Sequence, residues 1–250
     1  MRKFGLIGYP LGHSFSKNYF TEKFAKEGIN DAVYENYPLE NIELLPLLIR
    51  ETDSLAGLNV TIPHKTNVIR FLSETDSEAK AAGAVNVIKI VRENGVNRLK
   101  GYNTDIYGFR ESLLPELKAD KYSALILGTG GSSLAVRYVL TSLGINYISV
   151  SRTPSEVNIA YADLTDEIIK ENNLIINTTP LGMFPNIKSY PDINYNALTE
   201  RHILYDLVYN PGLTKFLAKG KERGCTVTGG LKMLYLQAER SWNIWNDPGI

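Results

Sequence analysis

Residues 122–143, YSALILGTGGSSLAVRYVLTSL, constrain the fold more than any other stretch. An apolar run too short for a helix ends in GTGG, and the chain then takes up a helical spacing of apolar residues that closes at Gly144. The next apolar run, YISVSR, follows at once. Strand, glycine turn, helix and strand in this order make a βαβ unit, whose strands lie parallel in one sheet. Gly128 permits the tight turn, and Gly130 lets a pyrophosphate approach the backbone at a helix N-terminus. The third glycine of G-x-G-x-x-G is Ser133 here, still small enough for close helix–strand packing. Gly128, Gly130, Gly131 and Ser132 are therefore candidate cofactor-binding residues. Glycines at such turns are often structural, and the complete pattern around these is what favours a nucleotide.

The end of the next strand bears on which nucleotide. An NAD site usually carries an acid about 20 residues on, to hold the ribose 2′-hydroxyl. Ser151, Arg152 and Thr153 stand there instead. A guanidinium and two hydroxyls suit a 2′-phosphate, so NADP is expected over NAD.

Short apolar runs alternate with amphipathic stretches along the rest of the chain, the pattern of an α/β protein with mainly parallel strands. KFGLIG reads as a strand, SFSKNYFTEKFAKEG as a helix ending at Gly28, and AVYENYPL and LAGLNVTI as strands. Between those two, NIELLPLLIRET is helical with an interruption at Pro46. AVNVIKIV and NRLKGYN form a hairpin around RENGV. From residue 105 a helix, DIYGFRESLLPEL, leads into the glycine unit. An alternating series follows: LTDEIIKEN, LIINTT, HILYDLVY, FLAKGKERG, TVTGG and a last helix, LKMLYLQAERSWNIW. The expected domains are 1–104, rejoined by the C-terminal helix 230–250, and 105–229.

Lys plus Arg (27) balances Asp plus Glu (27), so no long-range field favours nucleic acid or an anionic membrane. The single cysteine, Cys225, excludes an internal disulfide and a cysteine-rich metal site. The apolar run in MRKFGLIGYP is short for a signal peptide, and no run of about 18 apolar residues occurs. A soluble cytoplasmic protein is expected. His13, His64 and His202 lack metal-ligand spacing and read as structural or supporting groups.

The first block has no glycine-rich loop but carries short polar residues at strand ends. Ser14 and Ser16, in GHSFSK, stand where a helix begins and where hydroxyls and free N–H groups hold a carboxylate. A plain N-cap accounts for one serine better than for two. LNVTIPHK supplies Asn59, Thr61 and Lys65, AVNVI supplies Asn86, and GYNTD supplies Asn103 and Asp105. Singly, each reads as turn chemistry or a solvated group. Together they suit a small polyhydroxylated ligand.

GYPLGHSFS, GLNVTIPHK, GAVNVI, YNTD, GTGGSS, SRT, NTTPLGM, YDLVYNPGLTKFL and GGLKMLYLQA, in this order, resemble the shikimate dehydrogenase family over nearly the whole chain. The resemblance implies an N-terminal α/β substrate domain, a Rossmann-like doubly wound NADP-binding domain and a cleft between them. It implies reversible NADP-dependent reduction of 3-dehydroshikimate to shikimate in chorismate and aromatic amino-acid biosynthesis, by a monomer or homodimer. By the same resemblance Lys65 and Asp105 form the acid–base pair. Ser14, Ser16, Thr61 and Tyr209 hold the substrate carboxylate, and Lys65, Asn86, Asp105 and Gln237 hold the ring hydroxyls. Asn59 braces Lys65 or the ring, and Gly230 and Met233 lie near the nicotinamide.

Two departures stand out. The family's adenine-side block reads N-R-T-x-x-R, and Glu156 takes the place of the second arginine here. S-x-S-P has become S-F-S-K, which brings Lys17 toward the carboxylate. A quinate/shikimate dehydrogenase with relaxed cofactor use is the neighbouring alternative, and a catalytically silent paralogue that binds a nucleotide or metabolite the alternative from another class. The paired serines favour shikimate over quinate, and Lys65 and Asp105 together favour catalysis over mere binding.

Overall fold

The computed structural model describes residues 1–12, 15–93 and 95–249. The chain divides into two compact units, Met1–Thr104 with Ala238–Ile250, and Asp105–Gln237.

In the first unit the order is β1 (Arg2–Gly8), α1 (Phe15–Glu27), β2 (Ala32–Pro38), α2 (Leu45–Glu51), β3 (Leu55–Val60), β4 (Glu74–Thr75), α3 (Ser77–Ala82), β5 (Val87–Glu93) and β6 (Val96–Tyr102). The sheet order is β2-β1-β3-β5-β6-β4. β1, β2 and β3 run parallel, whereas β5 is antiparallel to both β3 and β6. Both faces are covered. One buries Ile7, Leu58, Ile88 and Ile90 with Leu45 and Ile49 of α2. The other buries Phe4, Val87 and Tyr34 with Phe20 and Phe24 of α1 and Ile244 and Trp245 near the C-terminus. Alternate residues of β1 and β5 thus serve opposite faces, as the two-residue period of a strand requires. The Trp245 indole donates to the Ile88 carbonyl at 3.0 Å.

Pro46 sits in the first turn of α2, after a 3-10 turn at Ile42–Leu44. There its missing N–H costs no helix bond, so it starts the helix that the sequence read as interrupted. The hairpin strands run closer to the turn than RENGV suggested, with positive φ at Gly95. LAGLNVTI is strand only as far as Val60. The short helix α3 went unread, although Asp76 caps it by accepting from Ala79 N at 2.9 Å and Gly83 closes it in the left-handed conformation.

The second unit continues with α4 (Thr104–Leu113), β7 (Ser123–Leu127), α5 (Gly131–Ser142), β8 (Asn146–Ser151), β9 (Ile159–Ala160), α6 (Asp166–Glu171), β10 (Leu174–Asn177), β11 (Ile203–Asp206), α7 (Lys215–Glu222), β12 (Thr226–Gly229) and α8 (Leu231–Asn246). The division between the units falls inside α4 and α8. Strand order is β12-β11-β10-β7-β8-β9, every pair parallel. Counted from β7 this is the 3-2-1-4-5-6 order of a doubly wound nucleotide-binding sheet. β10 and β11 are buried along their whole length, which is why they read as continuous apolar runs. Among the described residues no helix is long and apolar enough to cross a membrane.

Candidate active site

In the first unit the predicted polar residues gather at one edge of the sheet. β1 and β3 are parallel, so their carboxyl ends coincide, and Thr61 N donates to the Ile7 carbonyl at 2.9 Å as β3 ends. β5 runs the other way, which brings Asn86, the residue just ahead of it, to the same edge, its carbonyl accepting from Val60 N at 2.8 Å. β6 returns there too, with Asn86 N bonded to the Tyr102 carbonyl at 3.0 Å, and delivers Asn103 and Thr104. Ligands of open α/β sheets bind at such carboxyl ends.

Lys65 stands just past β3 and is only 9% exposed. Its carbonyl accepts from Val85 N at 2.8 Å. The neighbouring His64 ring is buried, with Nε2 2.5 Å from the Leu39 carbonyl, so His64 anchors the turn that presents the lysine. At Gly8 a Cβ would overlap the Thr61 side chain, so only glycine lets β1 pass beneath Thr61.

Behind this edge lies a chain of neutral groups. The buried Tyr34 hydroxyl donates to Asn59 Oδ1 at 2.8 Å, and Asn59 Nδ2 donates to Ser241 Oγ at 3.1 Å and to the Asn86 carbonyl at 3.4 Å. Ser241 Oγ lies 3.3 Å from Thr104 Oγ1, and Asn86 Oδ1 accepts from Thr104 N at 2.7 Å. Ser16 hydrogen-bonds Tyr34, while burial holds the Tyr34 hydroxyl well above the usual phenol range. Asn59 is therefore bonded to Tyr34, Ser241 and backbone, where the resemblance implied a brace for Lys65 or the ring. Asn103 Nδ2 donates to the Ala84 carbonyl at 2.9 Å. Ser14 and His13 lie outside the described residues.

In the second unit the predicted residues line the carboxyl edge of the parallel sheet. Between β7 and β10 the winding reverses, and the glycine turn lies there. Gly128 has φ +108°, and a Cβ on it would meet Thr178 Oγ1 and Thr179 Cγ2 at 2.8 Å. Gly130 caps α5 with no side-chain hydrogen bond, and its Cβ direction is open. Thr165 and Thr214, by contrast, cap α6 and α7 with their hydroxyls. The bare, open N-terminus of α5 is built around glycine, and it fits a pyrophosphate held by backbone N–H groups. Ser133 is fully buried, bonding the Gly130 carbonyl at 2.7 Å, while Ser132 is half-buried in the first turn of α5. At the end of β8, Ser151 Oγ accepts from Thr153 N at 3.3 Å, and Arg152 is exposed. The Arg152 charge acts on the Tyr161 phenol, opposing the burial that pushes that group up to about 12.

Asp105 occupies the first turn of α4, where the helix dipole favours an acid, and is 7% exposed. A Cβ on Gly108 would meet the Met233 carbonyl at 2.6 Å and Gln237 Cβ at 3.2 Å. This glycine lets α4 and α8 touch, and Asp105 lies one turn away on the same face. Met233 and Gln237 are buried, the Gln237 amide bonding the Leu234 carbonyl at 3.1 Å. Gly230 has no room for a Cβ against the Leu207 carbonyl. Burial raises the Tyr209 phenol above its ordinary pKa.

Sequence reasoning missed Tyr34, Thr104, Gly108, Ser241 and a buried trio, Asn177 and Asp206 at the ends of β10 and β11 and Thr214 at the start of α7. A glycine inside a helix and a lone acid closing an apolar strand were the signals available for Gly108 and Asp206.

The shikimate dehydrogenase substrate binding domain family matches residues 6–88. The shikimate dehydrogenase (NADP(+)) of Methanococcus aeolicus is 36% identical, with 96% of this chain and 90% of the relative covered. The chain belongs to the shikimate dehydrogenase family. Solved structures agree. Shikimate 5-dehydrogenase from Thermus thermophilus, in complex with NADP(H) and shikimate, superposes with a TM-score of 0.84 at 30% identity, covering 100% of this chain and 94% of its own. A chorismate mutase/shikimate 5-dehydrogenase fusion protein from Clostridium acetobutylicum gives 0.86 at 32% identity, covering 98% and 91%. The family's two-domain α/β architecture is the one found here.

Proposed function

We propose that this protein is an NADP-dependent shikimate dehydrogenase, an oxidoreductase that reversibly reduces 3-dehydroshikimate to shikimate. The carrying observation is the buried Lys65, fixed by its neighbours at the carboxyl end of β3 beside Thr61 and Asn86. Relatives of similar length bearing that name support the reading. Bound NADP would supply the hydride. Lys65 delivers the proton to the carbonyl oxygen and stabilises the developing alkoxide, with Asp105 as its acid–base partner. Thr61, Ser16, Ser14 and Tyr209 hold the substrate carboxylate, and Asn86 and Gln237 hold ring hydroxyls. The N-terminus of α5 takes the pyrophosphate, Arg152 the 2′-phosphate, and Gly230 with Met233 the nicotinamide side. The first unit is the substrate domain and the second the cofactor domain. The family resemblance supports a cytoplasmic enzyme that works as a monomer or homodimer.

The test is cofactor reduction with shikimate and with quinate, each against NADP and NAD. Turnover of shikimate with NADP is expected to exceed the other three combinations. Preferential turnover of quinate would replace the substrate assignment, and no turnover with any pair would point to a silent binding protein.

A further inference from the structure

The Asp206 carboxylate ends β11 with no exposed surface, and three donors converge on it. Oδ2 accepts from Thr214 Oγ1 at 2.6 Å, and Oδ1 accepts from Val208 N at 3.0 Å and from Asn177 Nδ2 at 2.9 Å. Val208 opens the loop after β11 and Thr214 closes it, so one carboxylate pins both ends of the segment that carries Tyr209. Asn177 extends the tie to the neighbouring strand. Its Oδ1 accepts from Thr179 N at 3.0 Å and Thr179 Oγ1 at 2.6 Å, and its carbonyl accepts from Leu207 N at 3.0 Å. The loop in turn fixes the turn after β12. Gly230 N donates to the Val208 carbonyl at 3.1 Å, and Gly230 packs so closely on the Leu207 carbonyl that no side chain fits.

Such a group is a poor way to stabilise a fold. Taking a carboxylate out of water costs several kcal/mol, and apolar replacements of buried ionic groups are often neutral or stabilising. Burial pushes Asp206 up to about 6, against the opposing pull of Thr214, Val208 and Asn177. Its three donors are what the site gains, and all three set loop geometry at the carboxyl edge where ligands bind.

We infer that Asp206, with Thr214 and Asn177, is a positioning residue that holds Tyr209 and the Gly230 turn in the arrangement substrate and cofactor require. The inference rests on the proposed function, in which Tyr209 holds the shikimate carboxylate and Gly230 flanks the nicotinamide. Asp206 touches neither ligand. It acts through the backbone of residues 207–214.

The test compares wild type with Thr214→Val, Thr214→Ser and Asp206→Asn by steady-state kinetics, with melting temperature as the control for folding. Thr214→Val is near-isosteric and leaves the charge in place, so it serves even if Asp206→Asn does not fold. Loss of uniform binding raises KM and spares kcat. Thr214→Val is expected to raise the KM for shikimate about tenfold, with kcat changed less than about threefold, and Thr214→Ser to restore wild-type values. Tyr209→Phe should raise KM in the wild-type background but add less than about twofold on top of Thr214→Val, because the tyrosine is already misplaced. A merely structural role lowers melting temperature and active fraction, which scales kcat and leaves KM unmoved. An active wild type with unmoved KM in Thr214→Val and any folded Asp206→Asn overturns the inference alone. Fully additive effects of Tyr209→Phe and Thr214→Val do the same. A wild type that fails to turn over shikimate with NADP overturns the functional reading and this inference with it.

Discussion

The two sheets end in different kinds of edge. In the first unit the edge is made of side chains: Thr61, Lys65, Asn86 and Thr104, backed by the neutral chain from Tyr34 through Asn59 to Ser241. In the second it is made of backbone: the glycine turn, the uncapped start of α5 and loops pinned by one buried carboxylate. Both sheets reverse their winding, the first between β1 and β3 and the second between β7 and β10. The first has no glycine-rich turn at its reversal, so its specificity comes from side chains, whereas the second exposes its reversal with glycines. The comparison implies that substitutions in the first unit act through lost chemical groups, and those in the second through lost space or lost fixed geometry.

The largest expected effect falls on the first edge. Lys65→Ala should lower kcat about 10²-fold or more, with a smaller change in the KM for shikimate, as for loss of a positioned acid–base group. Steady-state kinetics decide it. A near-native kcat would remove Lys65 from the chemistry and leave the first edge a binding surface only.

On the second edge the exception to backbone recognition is Arg152. A charge-assisted contact to the 2′-phosphate, absent in NAD, is worth on the order of 1.5–3 kcal/mol, so Arg152→Ala should weaken NADP roughly 10- to 100-fold and spare NAD. Glu156 replaces the family's second arginine, and a carboxylate near the phosphate repels it, so Glu156→Arg should tighten NADP. Titration of both cofactors by protein fluorescence measures this. Equal losses for NADP and NAD would mean that Arg152 holds something else.

The glycines separate space from conformation. Gly128 holds φ +108° and is hemmed in by Thr178 and Thr179, so Gly128→Ala should cost about 1–3 kcal/mol in the protein without cofactor, seen in denaturant unfolding. Gly130 has ordinary backbone and open space in its Cβ direction. Gly130→Ala should cost less than about 1 kcal/mol of stability. Its methyl group would nonetheless intrude where the pyrophosphate approaches, weakening NADP about tenfold. Loss of stability without loss of NADP affinity in Gly130→Ala would show that this turn is structural.

The same contrast explains what the sequence disclosed. The second unit was legible from its own residues because a parallel sheet buries whole strands and its turn must be glycine. Apolar runs such as LIIN and ILYD and the GTGG turn announce both. The short β4, β9 and α3 carry too few residues to show a period, and α3 was marked only by its cap and Gly83. At the first edge the polar residues were visible one by one, but their common location follows from strand directions, which no local pattern encodes. Family resemblance supplied their roles. Asp206 and Thr214 were hidden for a related reason: eight residues separate them, and only the returning loop makes them partners.

The smallest effect belongs to the neutral chain behind the first edge. Tyr34→Phe removes the hydroxyl that donates to Asn59 Oδ1 and leaves that acceptor, on a residue only 6% exposed, without its donor. The phenyl ring keeps its packing against Phe20, 4.7 Å between centroids, so the loss is confined to the hydroxyl's hydrogen bonds with Asn59 and Ser16. An unsatisfied buried acceptor costs about 1–3 kcal/mol, which denaturant unfolding should register at the low end, because the Asn59 amide still donates to Ser241 and to the Asn86 carbonyl. The KM for shikimate should move less than about threefold, since Asn86 keeps its bonds to Thr104 and the backbone. That outcome would set the neutral network apart from the Asp206 network, where the expected loss is in substrate positioning. A tenfold rise in KM with unchanged stability would instead make Tyr34 and Asn59 part of the recognition surface, and the two edges would then work by the same means.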